Sequence, residues 1–376
     1  MKILFVIDQY KAENNGVTVS ARRYAKVLME HGHTVRILST ADTGEDGYTV
    51  RELQVPIFGG LIHSQGMIFG VPEKDIIQKA VEWADFIHFL MPFPLSVRTA
   101  KIARSMGKPA SAAFHVQPQN VSYSIRMGRR QGINRFIFRL FRTHFFDMFR
   151  HIHCPSQFIA KELEKNGYHS QLHVISNGIA PQFSYQRLPK PDAWQDRFVV
   201  LMIGRLSREK RQDVLIEAVR QSRHADQIQL VLAGQGPRRQ ALIQQAQGLA
   251  HPVAVDFYSQ EDLRRLIAQA DLYVHAADAE IEGMSCMEAF AEGLVPVVSD
   301  SPLSAVPQFA LDERSLFRSG DSGDLAQKID WWIEHPKERE EMSLQYADSA
   351  KKYALEHCVA QFEQMMRQAM EEGAWR

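Results

Sequence analysis

Short apolar runs alternate with amphipathic segments along almost the whole chain, and this alternation constrains the fold more than any other feature. KILFVID, HTVRILST, ADFIHFL, KPASAAFHV, HIHCP and LHVISNG read as strands. VSARRYAKVLMEHG, IIQKAVEWA, SVRTAKIARSMG and QFIAKELEKNG read as the helices between them. Strand-length apolar runs separated by helices predict a parallel sheet with helices on both faces. The series breaks at SYQRLPKPDAWQDR, which is polar, proline-bearing and aperiodic, as a linker is. A second series starts at FVVLMIG and runs through QDVLIEAV, IQLVLAG, RRQALIQQA, VAVDFY, DLRRLIAQ, DLYVHA, MEAFAEG and VPVVSD. From about Pro336 the chain reads almost wholly as helix. The expectation is an α/β protein with one Rossmann-like domain over 1–184 and a second over 198–353. Residues 185–197 would link them, and 354–376 would form a closing helix. A length of 376 residues suits two domains better than one core.

Composition removes several function classes. Lys and Arg number 44 against 44 Asp and Glu, so no global field favours nucleic acid, and no nucleic-acid partner is expected. Cys154, Cys286 and Cys358 are too widely spaced for a disulfide framework or a C-x-x-C pair, which fits a reducing compartment. The apolar start MKILFVIDQY is short and meets Asp8, so it reads as a first strand rather than a secretion signal. No apolar stretch approaches the ~18 residues of a membrane span. The expected location is cytoplasmic, with the inner face of the cell membrane as a peripheral alternative. No G-x-G-x-x-G follows the first strand, which argues against a dinucleotide oxidoreductase.

Two segments carry the chemistry. In EIEGMSCME, Glu280 and Glu288 flank Gly283, Met284 and Ser285; Glu280 should lie on a loop and Glu288 one turn inside the helix that follows. A helix N-terminus attracts phosphate, and carboxylates on either side can accept hydrogen bonds from sugar hydroxyls. In GRLSREK, Arg205 and Lys210 follow a strand directly, so they lie at the carboxyl end of the sheet, where α/β proteins bind ligands. Together they can neutralise a departing diphosphate. Arg208 and Arg211 read as solvated. Gly234 and Gly236 in AGQGP let backbone approach a ligand, with Pro237 suited to the first helical position. Asp278 and Glu280 together look like a D-x-D metal motif, but Glu280 is better explained by its pairing with Glu288, and no metal is expected.

These segments resemble the E-x7-E and G-R-x4-K signatures of glycosyltransferase family 4, retaining enzymes with the GT-B fold. The resemblance implies two Rossmann-like domains whose parallel sheets face a central cleft, with a C-terminal helix crossing back to the first domain over about Ala354–Met370. It implies that Arg205 and Lys210 hold the donor diphosphate, Glu280 the donor sugar and Glu288 the nucleotide ribose. It places Gly16, in the loop Asn14–Val17, across from the diphosphate, Tyr258 near the base, and His115 near the reacting sugar. Asn177–Gly178 would be the hinge turn. It also implies no cofactor beyond the nucleotide-sugar donor, and a lipid, glycan or small-molecule acceptor. A GT-B epimerase or phosphorylase, or a non-catalytic partner of another transferase, are the alternatives; intact Arg205, Lys210, Glu280 and Glu288 weigh against them.

Residues Arg126–Arg150 hold seven arginines and one acid, Asp147. On a helix from Ile133, Arg135, Arg139, Arg142 and Arg150 would share a face with Phe146, opposite Ile133, Ile137, Leu140, Phe141, Phe145 and Met148. Such a helix either packs on its own sheet with a solvated Arg face or lies on an anionic membrane surface.

Overall fold

The computed structural model describes residues 1–10, 15–40, 47–54, 68–119, 123 and 131–376. Two compact units result: Met1–Gly178 together with Leu355–Arg376, and Ile179–Ala354. Asn14 and Arg126–Arg130 lie outside the described residues.

The first unit is built on seven parallel strands: β1 (Lys2–Val6), β2 (Thr34–Ser39), β3 (Tyr48–Thr49), β4 (Phe86–Phe89), β5 (Ala110–Ala113), β6 (His151–Cys154) and β7 (Gln171–Val174). Their order is β3-β2-β1-β4-β5-β6-β7. The central strands β4, β5 and β6 are buried along their whole length, as a sheet covered on both faces requires. Asn15 caps the helix Gly16–Glu30, its side chain accepting from Val17 N at 2.9 Å, and Gly32 ends the turn with φ 83°. The C-terminal helix Leu355–Glu372 belongs to this unit. Its Phe362 sits edge-on to His88 and Tyr24, with ring centroids 4.7 and 5.5 Å away.

The second unit repeats the same winding with β8 (Phe198–Ile203), β9 (Ile228–Ala233), β10 (Ala254–Asp256), β11 (Leu272–His275), β13 (Pro296–Ser299) and β15 (Leu316–Phe317), in the order β10-β9-β8-β11-β13-β15. A separate ribbon pairs β12 (Ala279–Glu280) with β14 (Leu303–Ser304). The strand order reverses between β8 and β11. The loops leaving these two strands therefore flank the crevice where doubly wound sheets take ligands.

Two sequence expectations need correction. The predicted linker 185–197 is a strap on the second unit; the chain passes between units after Gly178. Arg187 ties it down, donating to Ala270 O at 3.0 Å and Gly293 O at 2.8 Å. The arginine face of the basic stretch also differs. The helix stops at His144 and a 3₁₀ turn follows over Phe146–Met148, so a regular helical projection fails beyond that point. Phe146 is core, only 1% exposed. Arg142 turns inward and donates to Asn166 O and Gly167 O at 2.9 and 3.0 Å, and Arg150 donates to Glu372 O. Leu140 moves to the exposed face, which carries Arg135, Phe136, Arg139 and Leu140. Among the described residues no helix is long and apolar enough to cross a membrane.

Candidate active site

The loop after β8 supplies the cations. It runs from Gly204 through a 3₁₀ turn at Arg208–Lys210 into the helix Gln212–Gln221. The Arg205 guanidinium meets Glu209 at 2.9 Å, and the Ser207 hydroxyl donates to the same carboxylate. Burial would raise the Glu209 carboxyl, but Arg205 and Ser207 outweigh it and the group is lowered. The turn is therefore internally braced, with Arg205 held by an acid four residues on. Arg208 is exposed, as expected of a solvated residue. Arg211 is not. It is half-buried, with its guanidinium on Asp278 at 3.2 Å and on Asp213 at 3.3 Å. It is also the one described non-glycine residue with positive φ, at 56°. That conformation costs a side-chain-bearing residue about 1–2 kcal/mol.

The loop after β11 supplies the acids. Glu280, on β12, pairs with the Lys210 ammonium, and each side chain keeps 17% of its exposure. His275, at the end of β11, lies 3.4 Å from the same carboxylate. Burial would raise the Glu280 carboxyl. Lys210 and then His275 outweigh that and hold it well below the usual carboxylate range. His275 is itself lowered, chiefly by burial, so it is a neutral imidazole rather than a second cation. Its Nδ1 is 3.1 Å from Tyr273 OH, which in turn is 3.0 Å from Ser285 Oγ. Ser285 opens the helix Met284–Ala291 next to Met284, so this chain of contacts runs from Glu280 to the helix N-terminus.

Gly283 caps that helix with φ 94°, and a Cβ there would lie 2.6 Å from Val306 Cγ2. Only glycine meets both conditions. Glu288 sits one turn inside the helix, 8% exposed. The neighbouring Glu292 is pushed up to about 7, mainly by burial, with Glu288 adding to the rise against the pull of Arg264. Gly234 and Gly236 prove to face protein. A Cβ on Gly234 would lie 2.0 Å from Gly204 O, and one on Gly236 2.5 Å from Leu206 O. These glycines let the loop after β9 press against the backbone of the Arg205 segment. Pro237 lies in the turn ahead of the helix Arg239–Gln245 rather than at its first position. Tyr258 is half-buried after β10, and its phenol is raised by burial and by Asp256.

Arg205, Lys210, Glu280, Gly283, Met284, Ser285 and Glu288 thus converge on the loops and helix at the strand-order reversal, braced by Gly234 and Gly236. Gly16 and His115 belong to the first unit. Gly16 opens its first helix. His115 follows β5, buried, with its ring 5.5 Å from that of His153; burial and then His153 lower it to about 3, so it is neutral at ordinary pH. Sequence reasoning missed Glu209, Tyr273, His275 and the partners of Arg211. His275 was the most accessible of these, being polar at the carboxyl end of a buried strand. Among the described residues no group of three or more His, Cys, Asp or Glu is arranged to hold a metal ion.

Comparison with known proteins agrees with the geometry. The profile of the family described as "Glycosyl transferases group 1" matches residues 186–348, and that of "Glycosyltransferase Family 4" matches residues 14–183. The chain is 26% identical over 322 residues to the alpha-monoglucosyldiacylglycerol synthase of Streptococcus pneumoniae, covering 80% of this chain and 72% of that one. It is 24% identical over 321 residues to a GDP-mannose-dependent alpha-mannosyltransferase of Corynebacterium glutamicum, covering 79% and 72%. In fold it is similar to HepE of Anabaena, solved in complex with UDP and glucose, at a TM-score of 0.76 and 19% identity, over 98% of this chain and all of the other.

Proposed function

The chain belongs to glycosyltransferase family 4, with the GT-B fold, and from that premise we propose a retaining, metal-independent transfer of a hexose from a nucleoside diphosphate sugar. UDP-glucose or a related UDP-hexose is the proposed donor. The observation that carries this reading is the Lys210–Glu280 pair on the two loops flanking the strand-order reversal, with Arg205 on the same loop. An ammonium has three donors, so Lys210 can keep Glu280 and still take a phosphate oxygen. Arg205 offers a planar fork to the same diphosphate. Glu280 then accepts from donor-sugar hydroxyls and Glu288 from the ribose, while the first N–H groups of the helix Met284–Ala291 face the phosphates.

The bond from the sugar anomeric carbon to the diphosphate oxygen breaks as the acceptor oxygen bonds to the same carbon on the same face. The acceptor proton goes to the leaving phosphate. Arg205 and Lys210 stabilise the charge that develops on that phosphate, which is where a fixed cation lowers the barrier most.

A lipid acceptor is favoured over a soluble one. Phe136 is 65% and Leu140 38% exposed beside Arg135 and Arg139 on one helix, which suits an anionic membrane face. The relative from S. pneumoniae is named for a diacylglycerol product. The deciding experiment measures nucleotide release from UDP-glucose, other UDP-hexoses and GDP-mannose, in excess EDTA, with and without total membrane lipid. Release stimulated by lipid and indifferent to EDTA is expected. Release from no donor, or release that needs added Mg²⁺ or Mn²⁺, refutes the reading.

A further inference from the structure

We propose that Arg211 is a positioning residue for Lys210, acting through Asp278; this rests on the reading of Lys210 as the diphosphate cation. The same two loops are joined by two side-chain pairs, from consecutive cations on one to acids two residues apart on the other. Lys210 meets Glu280, and Arg211 meets Asp278 at 3.2 and 3.3 Å. Consecutive side chains diverge by about 100° on a helix and alternate faces on a strand, so neither form would aim both cations at one loop. The left-handed backbone at Arg211, φ 56° and ψ 37°, does so. Its guanidinium is what holds a side-chain-bearing residue in that conformation.

Asp278 is built to receive it. It is 3% exposed, and its backbone N–H donates to Glu209 O at 2.8 Å. Its carboxylate also accepts from Ser319 Oγ at 3.3 Å, and its carbonyl from Ser301 Oγ. The acid is thus anchored to three other segments of the second unit. A diphosphate arriving at Lys210 shares with Glu280 the ammonium that makes the first tie. The second tie, made to the more deeply buried of the two acids, keeps the loops in register while that happens.

The test uses the full chain with UDP-glucose, or with GDP-mannose if that is the donor turned over. Arg211→Gly keeps the left-handed backbone and removes the tie, so it should stay folded. Its kcat should fall about 10- to 100-fold, the scale set by an ångström of misplacement. UDP affinity should change little. Asp278→Asn should reproduce the loss, and Arg211→Lys should restore part of it. In a Lys210→Met background, Arg211→Gly should lower kcat no further, because the group it positions is gone. Wild-type kcat in Arg211→Gly, or a full additional loss in the double variant, overturns the positioning role. Wild-type kcat in Lys210→Met overturns the diphosphate reading itself, and the proposal with it.

Discussion

Lys210→Met should damage both the fold of the second unit and its chemistry, and the two effects can be separated. The pair it breaks is mostly buried, with 17% exposure on each side chain. At a separation of about 3 Å and an effective permittivity of about 20, Coulomb's law gives about 5 kcal/mol for such a pair. Removing one member leaves the other charge uncompensated and costs about 3–5 kcal/mol. For a unit the size of Ile179–Ala354, each kcal/mol moves the thermal midpoint by about 2–4 °C, so a fall of about 6–20 °C is expected. The pH dependence fixes the cause. In the parent chain Glu280 is lowered, so its contribution is present above the ordinary carboxylate pKa of 4.5 and is lost as pH falls towards the folded value. In the variant Glu280 has lost the cation that outweighed burial, so its pKa rises and acid no longer hurts. The gap between the two midpoints should therefore be widest near neutral pH and should shrink below about pH 4.5. Adding Glu280→Gln removes the orphaned charge and should recover much of the midpoint, but not turnover, which should stay down by about 10²-fold or more. Differential scanning calorimetry and nucleotide release measure the two quantities. A midpoint within about 1 °C of the parent at neutral pH, with turnover intact, would refute the argument, since no 3 kcal/mol effect fits inside that shift.

Three further outcomes follow from other parts of the molecule. Glu288→Gln should weaken free UDP by about 1–3 kcal/mol in calorimetry, the scale of a lost charged acceptor, while Glu280→Gln should weaken the intact donor more than UDP; equal losses on both ligands contradict the division of roles. Asp8, fully buried after β1, is raised to about 7 by burial, against the bond from Gly70 N at 2.8 Å. Because its folded pKa lies above the unfolded 3.8, stability is lost as pH rises between them, by about 4 kcal/mol. Asp8→Asn should remove that slope between pH 4 and 7 and raise the midpoint at pH 8, and parallel profiles for the two chains would show that burial is not the cause. Finally, Arg135→Ser with Arg139→Ser should weaken binding to anionic vesicles by about 2 kcal/mol and lessen its salt dependence, while Arg142→Ser should act on stability instead; binding indifferent to lipid charge points to a soluble acceptor.

Much of the architecture was legible because both sheets are buried on both faces. Continuous apolar strands such as FVVLMI and IQLVLA, punctuated by amphipathic helices, leave few alternatives to two doubly wound sheets. The place of Arg205 and Lys210 on the loop after β8 was legible for the same reason. What escaped was long-range. The strap at 185–197 looks like a linker because its partners, Ala270 O and Gly293 O, are carbonyls at helix ends far along the chain. The stretch after Ile133 has no glycine or proline up to Arg150, so nothing in it announces the end of the helix at His144. The packing at Gly234 and Gly236 escaped too: a Cβ on either would meet the backbone of Gly204 or Leu206.

In sequence, the D-x-D look-alike at Asp278 and Glu280 was set aside because the pairing of Glu280 with Glu288 explained that residue better, which left Asp278 without a role. The counter-charges of the two acids sit about seventy residues earlier, on Lys210 and Arg211. Two carboxylates two residues apart would need a divalent ion if nothing else balanced them, because unpaired charge in a buried site is costly. Here two consecutive side-chain cations face them, so each acid already has its counter-ion within the protein. A metal entering between them would have to displace Lys210 from Glu280 or Arg211 from Asp278. The same arrangement leaves Lys210, unlike a bound ion, attached to the protein when the diphosphate departs. That is the physical reason for expecting turnover in EDTA, and it rests on the charges that are present at these four residues.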